Sequence, residues 1–500
     1  MFRAWWWTFL VALVATGAFA QEISRPGIDP SRLLFGPRPK LPELPALSVG
    51  EVTERVAEHL ATLPAEYRHQ AVYFDLSATP TRYLEPLQHQ LSFVLNHLSR
   101  APTISRPQPV PNCDQRIYWA YQDWYHWTPK AWEQVSQLDP YFREPVVPSG
   151  PAVNYVRATA GNAIVRADWF AYWTMDVSLF AEPGQFVAKG VVPYYTLLYA
   201  KTKIKRKDPK TGKVVEVVGK APENIDEFYQ VWEADLEVLK RYNNLDKGAV
   251  VDEGDSLVSY HNRFIWDIPS RLGTRFFQTF DMIDSVKERD LLETLVPKKW
   301  DASEAIAQYP DGRQYYLLLD GAGKRVDWAD PRLVRDTGDP HFIVKTPGSC
   351  VSCHVQGKHG PSNAVKDLID SGADLKIKGY EKTERIRSLL LSNMDKNIKR
   401  SQEDYADAIK DCNGLSPAEN VKEFNIVRGW YDSPLAISQA ARECGVTVAD
   451  MEAAIALGIK GRYIKMLTEN KAIPRRNWEQ GGFQELSLLL IEARRQRIIK

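Results

Sequence analysis

The chain has no excess charge of either sign: Lys+Arg 64 against Asp+Glu 63 leaves +1 over 500 residues. This argues against a nucleic-acid protein whose whole surface neutralises phosphates. Beyond the N-terminus there is no apolar run near the roughly 18 residues that span a bilayer, and mean hydropathy is −0.36. No transmembrane segment is therefore expected in the mature chain. No G-x-S-x-G elbow, H-E-x-x-H zinc motif or Walker P-loop is present, which removes the commonest signatures of serine hydrolases, zinc proteases and phosphate-binding NTPases. No residue-level repeat is visible, and the length favours two to four domains.

What is present begins with a processing signal. Met1 to Arg3 give a positive start, Ala4 to Thr16 an apolar run, and Ala18-Phe19-Ala20 small residues at cleavage spacing before Gln21. Residues 1–20 therefore read as a signal peptide, and the protein as periplasmic or otherwise exported. Residues 21–50 are a proline-rich leader, with Pro26, Pro30, Pro37, Pro39, Pro42 and Pro45, and lack the means to build a core.

Export changes how the five cysteines are read: Cys113, Cys350, Cys353, Cys412 and Cys444. In an oxidising compartment such residues pair, bind metal or carry a covalent cofactor. Cys350-Val351-Ser352-Cys353-His354 is a C-x-x-C-H string, the spacing that attaches a c-type haem. Two thiols three positions apart share a helical turn, where both can form thioethers with one porphyrin. The following histidine then presents an imidazole nitrogen to the iron as proximal ligand. Three other readings compete. One is a thioredoxin-like dithiol, but no βαβ unit is apparent to carry it. Another is zinc held by Cys350, Cys353, His354 and His359, in which adjacent Cys353 and His354 fit one tetrahedron poorly. The last is a short, strained disulfide. A single covalent haem c is the preferred reading.

Along the chain, Val52, Val56, His59, Leu60 and Leu63 share one helical face, and a second amphipathic stretch runs from Leu84 to Leu98. An aromatic cluster from Tyr118 to Trp132 reads as packing mass between layers, and Trp169 to Phe180 as a buried helix. Lys201 to Val218 reads as a hairpin turning at Asp208-Pro209-Lys210-Thr211-Gly212. Ala305–Gln308, Gln314–Leu319 and Lys324–Asp327 form a small meander before the haem motif, and the chain after Pro361 is almost wholly helical. The expected fold class is mainly α with small antiparallel β elements, in several domains. Residues 51–250 form a mainly helical N-terminal domain, and residues 251–500 a haem-binding domain whose C-terminal half is helical and cytochrome c-like.

From about Val251 to Leu490 the sequence resembles a family of large exported monohaem c-type cytochrome proteins of planctomycete and myxobacterial type. The matching stretches are Ser259-Tyr260-His261-Asn262-Arg263, Thr279-Phe280-Asp281, Tyr309-Pro310-Asp311-Gly312-Arg313-Gln314-Tyr315-Tyr316, Gly323-Lys324-Arg325, the haem turn, Tyr431 to Gly445 and Arg475 to Trp478. Val165-Arg166-Ala167-Asp168-Trp169-Phe170 fits as well. The resemblance implies haem c, export and electron transfer. After the Asn-Arg pair many relatives carry an Arg-His step where this chain has Asp267-Ile268, so a distal histidine is absent there.

The sixth iron ligand stays open. Met394 follows the haem turn by about 40 residues, a separation at which small monohaem cytochromes return a methionine sulfur to the iron. His261 would give a bis-histidine iron of lower potential, and Met282, His341 and His359 are further candidates. Cys412 and Cys444 are placed to form a bridge between helical segments. Lys382, Arg385, Arg387, Lys396, Lys399 and Arg400 could steer an acidic redox partner, or form a solvated helix face. The expected function is one-electron transfer with an unidentified redox partner. The alternative is a haem-dependent oxidative or peroxidase-like enzyme, or a haem sensor, with an exchangeable sixth position. Electron carrier is favoured over catalyst.

Overall fold

The computed structural model describes residues 44–141, 162–180, 191–237, 248–251, 263–281, 300–329, 331, 334–336, 339, 342–359 and 394–499. The signal peptide, nearly all of the leader, His261, Met282 and His341 lie outside the described residues, as do Lys382, Arg385 and Arg387.

Helix α1 (Val49–Thr62) starts at Ser48, whose hydroxyl accepts from the Glu51 amide while the Glu51 carboxylate accepts from the Ser48 amide. This reciprocal cap fixes its first turn. The apolar stripe read from the sequence is the buried one: Val52, Val56 and Leu60 face strand β1 (Ala71–Asp75). Strand β1 pairs antiparallel with β3 (Ile117–Tyr121) and parallel with β4 (Ile164–Arg166), and short β2 (Gln108–Pro109) completes a four-stranded sheet. Helix α2 (Thr81–His97) packs behind it with α3 (Pro129–Ser136), α4 (Ala167–Trp173) and α5 (Pro193–Leu198). The aromatic cluster fills this core: Trp127 and Trp132 stack at 5.5 Å with their planes 4° apart. Strands β5 (Lys203–Lys207) and β6 (Val214–Val218) form the expected hairpin.

After α6 (Ile225–Val231) comes a six-stranded antiparallel sheet in the order β12-β11-β10-β9-β8-β7. Its strands are β7 (Gly248–Val251), β8 (Arg263–Pro269), β9 (Arg275–Asp281), β10 (Ala302–Gln308), β11 (Gln314–Asp320) and β12 (Arg325–Val326). The meander expected from the sequence is thus one half of a larger sheet. Strands β13 (Trp328–Ala329) and β14 (Val344–Lys345) pair beside it.

A mainly α chain with small β elements is therefore not what forms; among the described residues there are five sheets, one of six and one of four strands. The reason is burial on both faces. β1 is buried at every position and β9 at all but its first, so neither shows the two-residue alternation that marks a half-exposed strand.

The helical C-terminal region does form: α7 (Gly348–Cys353), α8 (Met394–Asn413), α9 (Pro417–Tyr431), α10 (Ile437–Glu443), α11 (Val448–Ile455), α12 (Arg462–Glu469) and α13 (Phe483–Arg495). It shares one hydrophobic core with α2 and α4. Ser92 of α2 donates to the Cys412 carbonyl at 2.5 Å, and Gln90 donates to the Asn420 carbonyl at 3.1 Å. The Cys412–Cys444 bridge is not made. Cys412 is buried beside Phe93 and His97 of α2, whereas Cys444 is the C-cap residue of α10. Lys396, Lys399 and Arg400 are exposed on α8, which leaves that part of the basic run in solvent.

The two halves meet at a buried carboxylate. Glu443 accepts from Arg166 Nη1 at 2.6 Å, from Arg475 Nη1 at 2.9 Å, and from Trp478 Nε1 at 2.8 Å. Burial alone would raise its pKa, but the two guanidiniums hold it at about 2. Glu443→Ala removes the carboxylate bonded to buried Arg475 and one of the two bonded to Arg166, and should cost about 3–5 kcal/mol in urea unfolding. Neighbouring Glu479 behaves oppositely, because burial pushes its carboxyl from 4.5 up to about 8. Its folded value lies above its unfolded one, so its contribution is full below pH 4.5 and is lost as pH rises to about 8. Urea midpoints measured across that window should fall in the wild type, and Glu479→Gln should flatten the fall.

Candidate functional site

The C-x-x-C-H string forms a short helix, α7, with His354 at its C-cap. The Gly348 amide donates to the Met175 carbonyl at 2.8 Å, and a Cβ at position 348 would lie 2.6 Å from that oxygen, so only glycine lets the turn seat against the segment after α4. Ser349 donates its hydroxyl to Asp336 and accepts from the Lys345 amide at 3.0 Å, which ties the start of α7 to β14. At the other end the His354 amide donates to the Cys350 carbonyl at 2.8 Å, and the Gly357 amide to the His354 carbonyl at 2.9 Å.

That second turn orients the imidazole. His354 Nδ1 lies 3.2 Å from the Gly357 carbonyl oxygen. A carbonyl can only accept, so Nδ1 carries a proton towards Gly357, which leaves Nε2 as the nitrogen through which a metal would be ligated. Gly357 holds φ at +83°, and a Cβ there would lie 2.7 Å from Gln314 Nε2. The ring is backed by Tyr316 of β11, with centroids 5.7 Å apart and planes at 27°.

Cys350, Cys353 and His354 all line one cleft of about 280 Å³ that opens to solvent. That is near the lower end of the size of pockets for small ligands. Leu318, Leu319, Val326, Val334 and Val344 give it apolar walls, while Asp281, Asp301, Glu304 and Asp320 contribute carboxylates. Glu304 Oε1 stands 3.5 Å from His354 Nε2. This contact and iron ligation compete for the same nitrogen.

The thiols are not nucleophiles. Burial pushes the Cys350 thiol far above its usual range, and Glu304, Cys353 and Asp336 act in the same direction. Burial with Asp336 and Glu304 lifts Cys353 to about 12. Both stay protonated at neutral pH, the opposite of the depressed thiols that drive disulfide exchange. Among the described residues no group of three or more His, Cys, Asp and Glu is gathered as a metal cage, so the zinc alternative with His359 is not assembled. His359 instead stacks on His354 at 5.0 Å and places Nε2 2.8 Å from the Cys353 carbonyl oxygen. The residues present fit a covalent haem: two neutral thiols and one oriented imidazole on a single turn beside an apolar cleft.

Of the distal candidates, His359 is described and lies beside His354, and Met394 is described as well. It begins α8 and is buried in the main core, and it is not among the residues lining the cleft. Among the described lining residues His354 is the only imidazole, and no methionine is present. Glu304, Gly357, Tyr316 and Asp336 come to the site without a signal in the sequence, because strand register and a three-residue turn bring them there. Compared with family models, curated proteins and solved structures, the chain matches none. No helix among the described residues is long and apolar enough to cross a membrane.

Gly357→Ala forces a side chain into left-handed backbone, at roughly 1–2 kcal/mol, and into Gln314. The expected outcome is a lower urea midpoint together with a His354 Nδ1 proton that exchanges faster in NMR.

Proposed function

We propose that the protein is an exported c-type cytochrome whose single haem is held by thioethers to Cys350 and Cys353 and ligated by His354, and that it serves in one-electron transfer. The observation that carries this reading is the Nδ1 contact to the Gly357 carbonyl, which reserves Nε2 for the iron, in exchange for its Glu304 contact, on the same turn as the two thiols. A bound haem supplies a reversible ferric–ferrous couple. The chain's own part is to orient His354 through Gly357 and Tyr316, and to exclude water with the valine and leucine walls. Burial and hydrogen bonding around the ligand then set the potential.

A second reading, an exchangeable sixth position serving an oxidative enzyme or sensor, is favoured by the cleft lining, whose described residues offer no methionine and no second histidine. Met394 and His261 remain the distal candidates for the carrier reading.

Expression with a cytochrome c maturation system should give one haem per chain by pyridine haemochrome. The Cys350→Ala, Cys353→Ala double variant should release its haem into acidified acetone. His354→Ala should keep the haem attached but shift its Soret band. Lack of covalent haem in the wild type would sink the proposal. Reduced bands unmoved by carbon monoxide support the carrier, and a carbon monoxide shift the exchangeable site.

A further inference from the structure

Behind His354 a series of aromatic rings is in contact, branching at His97, which also meets Phe93 and Tyr194. Tyr316 lies 5.7 Å from His354, His97 6.0 Å from Tyr316, Tyr315 5.5 Å from His97, and Trp232 4.4 Å from Tyr315, measured between ring centroids. In all four steps the planes are tilted by less than 30°. A fifth contact, 6.3 Å edge to face, joins Trp232 to Tyr309. Tyr309 is half-buried at the turn between β10 and β11, next to exposed Pro310. The four inner rings, Tyr316, His97, Tyr315 and Trp232, are all less than 5% exposed.

The chemistry along this line is uniform. Burial and the nearby Arg313 guanidinium drop the His97 imidazole to about 3, so it is a neutral ring at physiological pH. Tyr315 donates its hydroxyl to the Ser99 carbonyl at 2.5 Å and so keeps its proton. Three of the rungs come from one hairpin, the Tyr309 to Tyr316 stretch, which a haem site by itself does not require. Packed π systems couple electronically far better than saturated side chains or gaps of the same length.

Resting on the haem reading above, we propose that the ring series His354–Tyr316–His97–Tyr315–Trp232–Tyr309 is an electron route between the haem and the protein surface at the Tyr309 turn. One electron passes per event: the donor is oxidised and the haem iron reduced from ferric to ferrous, or the reverse. The rings act as a bridge and stay closed-shell. No bond forms or breaks and no proton moves.

The test attaches a photo-excitable ruthenium(II) polypyridyl to Pro310→Cys in a Cys444→Ser background of the haem-loaded chain. A flash drives one electron from the excited label to ferric haem, leaving ruthenium(III), and haem absorbance reports the rate. His97→Leu and Trp232→Leu should each slow that rate by an order of magnitude or more. His97→Phe and Tyr315→Phe, which keep the rings, should preserve it. Haem spectrum and midpoint potential should be unchanged in all four, which separates lost coupling from a disturbed site. Should both leucine variants fail to fold, Tyr309→Leu at the half-buried end of the series decides: a slowed rate supports the route and an unchanged rate overturns it. Equal rates in the leucine and wild-type chains overturn the route while leaving the haem reading intact. A wild-type chain without haem absorbance overturns both.

Discussion

Glu443 is the carboxylate on which the arrangement of the two halves depends. Arg166 reaches it from the end of β4, Arg475 and Trp478 from the segment before α13, and Gln439 from its own helix. It is the carboxylate that Arg475 is bonded to and that Arg166 shares with it, and removing one partner of a buried ion pair costs several kcal/mol. The same cluster holds Asp168, which takes both Nε and Nη2 of Arg166. Strand β4, helix α4 and the C-terminal helices are thereby locked in one register. The segment that follows α4 in turn offers the Met175 carbonyl on which α7 is seated.

From that seat the properties of the site follow. α7 is too short to be stable alone; it persists because Gly348, Ser349 and Gly357 are each fixed by partners from other elements. The protonated thiols, the imidazole nitrogen turned away from Gly357 and the apolar cleft are consequences of where the turn is held, between β10–β11 and the β13–β14 pair. The ring series behind His354 is part of the same packing. Tyr315 and Tyr316 are neighbours in β11 and point to opposite faces of the strand, yet both reach His97, because that imidazole lies at 5.5 Å from one ring and 6.0 Å from the other.

Much of the local structure is legible in the sequence. The stripe of α1, the β5–β6 hairpin and the β10–β12 meander follow from side-chain period and turn chemistry. The extent of sheet is not. β1, β9 and β11 are buried almost throughout, and a strand covered on both sides loses the alternation that would announce it. The thiol pairing fails for a related reason: Cys412 and Cys444 belong to nearby helices, but sequence spacing does not report which way each thiol faces.

The sequence by itself determined the C-x-x-C-H turn, because two cysteines and a histidine at that spacing are a local arrangement that one helical turn satisfies. It also determined the near-neutral charge, which is a property of composition. Only the tertiary structure decided the rest: which nitrogen of His354 meets Gly357, that Glu304 faces the other, that the cleft is walled by leucine and valine, and that six rings from four separate segments come into contact. Those features rest on contacts between residues tens to hundreds of positions apart. No local pattern encodes them, since each is fixed only when the strands find their register and the core closes.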